Sequence, residues 1–185
     1  MKLMGIADGW LEDVQRIPSP NYDDRPIGDR PQVIIVHAIS LPPRNYGGGW
    51  VSQLFSNTLD FEKHEYFRSI RGFEVSAHFL VCRTGDWIQY VSTVKRAWHA
   101  GQSECLGRSG VNDFSIGIEL EGCDDESFTR IQYASLAKLI SQLLNHYPSL
   151  SQERLFGHSE IAPGRKTDPG PCFDWSKLRL LLDRE

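Results

Sequence analysis

The stretch Pro31-Gln32-Val33-Ile34-Ile35-Val36-His37-Ala38-Ile39-Ser40-Leu41-Pro42-Pro43 decides the fold class. Val33 to Val36 are all β-branched and leave neither face polar, and Pro31 and Pro42-Pro43 bound the run. A strand apolar on both faces is buried on both faces, which requires covering layers on either side of a sheet. The run therefore predicts a central strand of an α/β domain. It delivers His37 at its C-terminal end, beside a Gly- and Pro-rich loop, Leu41 to Gly49, of the kind that shapes a cleft. Taken singly, a His at a buried strand end is a hydrogen-bonded core residue before it is a ligand.

The covering layers are legible on both sides of this run. Trp50 to Phe55 predicts a short helix. A second is predicted from about Phe61 to Arg71, with Asp60 as N-cap, Gly72 as its stop and His64 solvated on its surface. Thr129-Arg130-Ile131-Gln132 is a capping box that opens the strongest helix, with Leu136, Ile140, Leu143, Leu144 and Tyr147 on one face and Pro148 ending it. Asp174 caps a final helix that turns Trp175, Leu178, Leu181 and Leu182 inward. Ser76 to Cys82 and Trp87 to Val91 read as a hairpin around Gly85, making His78 a core histidine of a strand. Ser115-Ile116-Gly117-Ile118-Glu119-Leu120-Glu121 alternates, with Ile116, Ile118 and Leu120 on one face. The small residues and Glu on its other face imply either a close approach by some group or a strand edge facing solvent. Residues 1–31 read as an irregular arm laid over the domain and anchored by Trp10-Leu11 and Ile17. No repeat or linker interrupts 1–185, which reads as one domain.

Composition narrows the function classes. A net charge of −4 and a pI near 5.9 provide no basic face for nucleic acid. The longest apolar runs, around Val33–Val36 and Phe79–Cys82, are strand-sized and too short for a membrane span. The first residues lack the apolar core of a signal peptide. Cys82, Cys105, Cys123 and Cys172 lie far apart with no C-x-x-C pair, so they read as reduced thiols. A cytoplasmic protein acting on a small molecule, with no obligate protein partner, is the expectation.

The chemistry concentrates in Gly157-His158-Ser159-Glu160-Ile161-Ala162-Pro163-Gly164-Arg165-Lys166-Thr167-Asp168-Pro169-Gly170-Pro171. Pro and Gly break this segment too often for helix or strand, so rigid turns set where its side chains point. Lys166 and Asp168, two apart, project to the same side of an extended backbone. Neutral imidazoles at His37 and His158 and the Asp168 carboxylate would give zinc three ligands and leave a fourth position open, as in catalytic sites. Glu119 is a candidate proton acceptor and Lys166 a candidate for stabilising an oxyanion. Trp98-His99-Ala100, on a loop, either forms a binding wall or is a surface accident. The spacings alone are not diagnostic.

Longer segments are more specific. Val33 to His37, Val75-Ser76-Ala77-His78-Phe79, Arg96-Ala97-Trp98-His99-Ala100-Gly101, Asn112 to Gly122 and Arg165 to Pro171 together resemble the zinc-dependent N-acetylmuramoyl-L-alanine amidases. That family includes phage amidases and peptidoglycan-recognition proteins. The likeness runs from about Trp10 to Leu182 in motif order, and is strongest to the cytoplasmic members that act on 1,6-anhydromuropeptides. It implies a mixed central sheet flanked by helices. It also implies zinc held by His37, His158 and Asp168, Glu119 as proton acceptor, and Lys166 stabilising the transition state. The implied reaction is hydrolysis of the amide between the lactyl group of anhydromuramic acid and L-alanine, in peptidoglycan recycling, which lowers the muropeptide signal that induces β-lactamase.

Three positions depart from the pattern of those relatives. Ala38 stands where they usually have Asn, and Glu74 and Gly110 where they usually have Arg. In those relatives the polar and basic residues there help hold the sugar or the stem-peptide carboxylates, so Arg71, Arg83 or Arg108 becomes the candidate for carboxylate binding. Two competing readings are a zinc-free muropeptide sensor and an amidase acting on intact murein. The third ligand and its Lys stand against the first. The acidic pI and missing export signal stand against the second. Gly47-Gly48-Gly49 and the loop from Gly101 to Gly110 are expected to flank the cleft and close over substrate.

Overall fold

The computed structural model describes residues 5–184. One sheet contains β1 (Gln15–Arg16), β2 (Val33–Ile39), β3 (Phe79–Val81), β4 (Trp87–Gln89), β5 (Ser115–Glu121) and β6 (Leu155–Gly157), in spatial order β6-β2-β5-β3-β4-β1. Strands β6, β2, β5 and β3 are mutually parallel, β4 is antiparallel to β3, and β1 is parallel to β4. The helices are α1 (Trp50–Phe55), α2 (Glu65–Ser69), α3 (Arg130–His146), α4 (His158–Ile161) and α5 (Trp175–Leu182). This is the mixed sheet flanked by helices that the sequence implies, and Val33 to Val36 are fully buried in it. Burying each such side chain is worth about 1.5–3 kcal/mol.

Period-2 alternation sorts the two faces. Ile34, Val36, Ile116, Ile118 and Leu120 pack with Leu136, Ile140 and Leu143 of α3 and with Leu178 and Leu182 of α5. Val33 and Ile35 point the other way, onto Val111, Phe114 and Ile161. Helices α1 and α2 cover the neighbouring stretch through Leu54, Phe55 and Phe67. The α3 capping box forms: the Gln132 amide donates to Thr129 Oγ1 and the Thr129 amide to Gln132 Oε1, each at 3.1 Å. The Asp174 carboxylate caps α5 by accepting from the Lys177 amide at 2.9 Å.

The structure corrects the sequence reading in four places. Strand β5 is no solvent edge; it lies between β2 and β3 and is buried along its whole length. The second predicted helix is split into a 3-10 turn at Phe61–Lys63, capped by Asp60, and α2. His64 is its hinge, because its Nδ1 accepts the Tyr66 amide at 3.1 Å and caps α2. The N-terminal arm is woven in: Gln15–Arg16 joins the sheet, and Tyr22–Asp24 pairs with Lys95–Ala97. Finally, His158 is not in a loop, since it begins the one-turn α4 directly after β6.

Candidate metal centre and cleft

Register places the first imidazoles. In the parallel pair β6–β2, Gly157 lies opposite Val36, so His158 and His37 leave adjacent strands side by side at their C-terminal ends. Ligand sites of open α/β sheets form there. In the pair β5–β2, Glu119 lies opposite His37. The third group arrives from the Pro- and Gly-rich segment, where the Ser159 amide donates to the Asp168 carbonyl at 2.9 Å and ties it to α4. Farther along, Gly170 has φ 82°, and a Cβ there would overlap the backbone of Asp124, so only Gly lets this segment pack so closely.

Three donor atoms converge as a result. His37 Nδ1 lies 2.9 Å from His158 Nδ1 and 3.1 Å from Asp168 Oδ2, and His158 Nδ1 lies 3.0 Å from Asp168 Oδ2. The outer ring nitrogens explain their orientation. His158 Nε2 lies 3.2 Å from the Ala100 carbonyl, an acceptor only, so Nε2 carries the proton and Nδ1 is left with its lone pair. His37 is 1% exposed, and burial is the main force lowering its pKa from 6.5 to about 4, against the pull of Asp168. Burial pushes the Asp168 carboxyl up, but the His158 and His37 rings against it outweigh burial and hold the group well below the carboxylate range. Two imidazoles able to present Nδ1 beside a carboxylate are the donor set of a divalent cation. Ligands about 2.0–2.1 Å from a tetrahedral ion stand roughly 3.3 Å apart, close to the observed triangle. The residues fit a metal.

A cavity of about 680 Å³ opens on this triangle and is lined by Glu119, His158, Lys166 and Asp168, with Tyr66 and Phe73 on its apolar wall. Glu119 is 8% exposed, and its Oε2 is buried without a hydrogen-bond partner. Burial drives its pKa well above the usual value, Asp168 adds to the rise, and Lys166 opposes it.

The Trp98-His99-Ala100 expectation is redirected. Of the three, His99 lines the cavity, and both its ring nitrogens are taken, by His37 Nε2 at 2.9 Å and Ser115 Oγ at 3.0 Å. Ala100 is buried and serves through its carbonyl. Arg71 and Arg108 are engaged away from this cavity wall. Arg71 is paired with Glu62 and Arg108 with Asp29, and neither lines the cleft. Arg83 stacks 4.6 Å over the Tyr46 ring. Arg44 does line the cavity and is held by Asp125 and Glu126. Of the departures, Ala38 lines the cavity, whereas Glu74 and Gly110 do not.

Sequence reasoning missed the supports behind the site. Asn112 Oδ1 accepts the His99 and Ala100 amides at 3.2 and 2.8 Å. Arg25, from the arm, donates to the carbonyls of Asn112, Asp113, Thr93 and Ser115. Burial lowers its pKa from 12.5 to about 10. Glu121 accepts the amides of Gly47 and Arg83, fastening the triple-glycine loop to β5. Glycines beside a Glu on a buried strand were the available signal for such tethers; nothing local marked Arg25.

His78 is the core histidine the sequence predicts. Its Nδ1 accepts the Gly117 amide at 3.0 Å, and its Nε2 faces the Lys95 carbonyl at 3.1 Å. Burial, with Arg25 adding, lowers its pKa from 6.5 to about 3. The unfolded chain therefore takes up this proton first, so the stability is whole above about pH 6.5 and is lost as pH falls toward 3. At pH 5 the expected loss from His78 is about 2 kcal/mol. Urea unfolding at pH 7 and pH 5 tests it: the difference should shrink by that amount in His78→Gln, and an unchanged difference would remove His78 from the account.

Residues 27–171 match the N-acetylmuramoyl-L-alanine amidase family. The chain is 48% identical over 182 residues to the 1,6-anhydro-N-acetylmuramyl-L-alanine amidase AmpD of Escherichia coli (strain K12), covering 98% of this chain and 99% of that one. The crystal structure of a selenomethionine AmpD derivative superposes with a TM-score of 0.94 at 49% identity, covering 97% of this chain and 99% of that one. AmpDh3 from Pseudomonas aeruginosa, solved in complex with anhydromuramic pentapeptide, is 29% identical with a TM-score of 0.61, covering 84% of this chain and 61% of that one.

Proposed function

The chain belongs to the N-acetylmuramoyl-L-alanine amidase family, and from that premise we propose that it hydrolyses the lactyl–L-alanine amide of soluble 1,6-anhydromuropeptides in a zinc-dependent reaction. The supporting observation is the convergence of His37, His158 and Asp168 in a cleft that also holds Glu119 and Lys166. Zinc held by these three residues would acidify water toward a pKa of about 7 and polarise the scissile carbonyl. Glu119, cross-strand from His37, takes the proton of the attacking water on its unpartnered Oε2 and passes it to the leaving amine of L-alanine. The Lys166 ammonium, on the same cavity wall, meets the charge that develops on the carbonyl oxygen. The apolar wall around Tyr66 and Phe73 accepts the less polar parts of the substrate.

The setting follows from the substrate. A recycled anhydromuropeptide is small and soluble, its turnover belongs in the cytoplasm, and its removal lowers the signal for β-lactamase induction. Among the described residues no helix is long and apolar enough to cross a membrane. The test combines zinc quantification with turnover of soluble anhydromuropeptide and of purified sacculi. The expected result is near one zinc per chain, activity abolished by chelator, and preference for the soluble substrate. Faster cleavage of sacculi would favour the murein amidase instead, and binding without turnover a sensor.

A further inference from the structure

His37 is held by more than its strand. Its Nδ1 faces His158 and Asp168, while its Nε2 lies 2.9 Å from His99 Nδ1. His99 Nε2 in turn lies 3.0 Å from Ser115 Oγ. The His37 and His99 rings meet edge to face, with centroids 5.0 Å apart and an interplanar angle of 84°. The place for His99 is carved out of β5: a Cβ on Gly117 would overlap its ring, so the strand carries Gly where the ring meets it. The chain on its far side is fixed by Asn112 Oδ1, which accepts the His99 amide.

Reading His37 as a metal ligand, as proposed above, we infer that His99 is a positioning residue that sets the tautomer and ring orientation of His37. A ligating imidazole must present an unprotonated nitrogen, so the other nitrogen carries N–H and needs an acceptor; in a buried site that acceptor is supplied by protein. His99 Nδ1 is that acceptor. To accept there, His99 must carry its own proton on Nε2, and Ser115 Oγ receives it. The proton placement runs outward from the ligand: a bare His37 Nδ1 puts N–H on Nε2, His99 Nδ1 accepts it, and Ser115 Oγ, able to accept, takes the N–H of His99 Nε2. Gly117 and Ser115, two of the small residues on this face of β5, are explained by one function.

The test compares zinc affinity and ring protonation in the full chain. His99→Phe keeps a flat ring and removes the acceptor, so zinc affinity should fall about 10–100-fold. His99→Asn restores an acceptor oxygen near the Nδ1 position, so affinity should return to within about threefold of the parent. Long-range ¹⁵N–¹H spectra of the parent should show His99 with a bare Nδ1 and a protonated Nε2. Parental affinity in a folded His99→Phe, or a proton on His99 Nδ1, would overturn the inference. Should His99→Phe fail to fold, the tautomer in the parent decides. Failure of the parent itself to bind zinc is a separate outcome and defeats the proposed function first.

Discussion

Replacing Asp168 by Asn is expected to empty the metal centre while leaving the fold intact. Asn keeps the size and planarity of the side chain but removes the one formal negative charge in contact with the His37 and His158 rings. Two neutral imidazoles alone must then balance a dication in a site where His37 and His158 are almost wholly buried, which desolvation makes costly. Bound zinc should drop from near one per chain to a small fraction at micromolar protein. Amide hydrolysis should fall by more than the ~10²–10⁴-fold that a proton-transfer group contributes, because every step needs acidified water and a polarised carbonyl. The melting temperature of the metal-free variant should stay close to that of the metal-free parent. Zinc retained at the parental level, with parental activity, would sink the three-ligand reading.

Two of the three candidate metal ligands were partly legible in the sequence, because each follows or sits in a strong local signal. Val33 to Val36 announced a buried strand, and His37 follows it directly; Pro and Gly around Lys166 and Asp168 announced a rigid turn. What converted three separate residues into one site was sheet register, with Gly157 opposite Val36 and Glu119 opposite His37. Register between strands distant in sequence is set by packing of the whole sheet, so no local pattern carries it. The same limit hid Arg25, whose four carbonyl partners lie 68 to 90 residues away. It also hid the commitments of Arg71 and Arg108: a guanidinium looks free in sequence until its carboxylate is placed in space. The small residues of β5 left a close approach as one of two readings, and the group that approaches Gly117 is His99.

Glu119→Gln is expected to move activity and stability in opposite directions. The parent carboxyl is buried, its Oε2 has no partner, and burial raises its pKa well above 4.5. A group whose folded pKa exceeds its unfolded value contributes stability below the unfolded value and loses it as pH rises through the folded one. As pH rises above the unfolded value the buried carboxyl therefore costs stability, and it is retained for its chemistry, in the manner of many active sites. Gln has the same shape and no charge to desolvate, so the melting temperature of the variant should equal or exceed that of the parent. Its zinc content should also be unchanged, since Glu119 contributes none of the three converging donors. Turnover should fall by ~10²–10⁴, with kcat bearing the loss and KM nearly constant, because a proton acceptor acts in the transition state and not in binding. In the parent, the acid limb of kcat/KM should lie above the ~4.3 of free Glu, and the residual activity of the variant should lack that limb. A structural role for Glu119 predicts the reverse pattern, a lower melting temperature with turnover nearly preserved, so measuring both on one preparation separates the two.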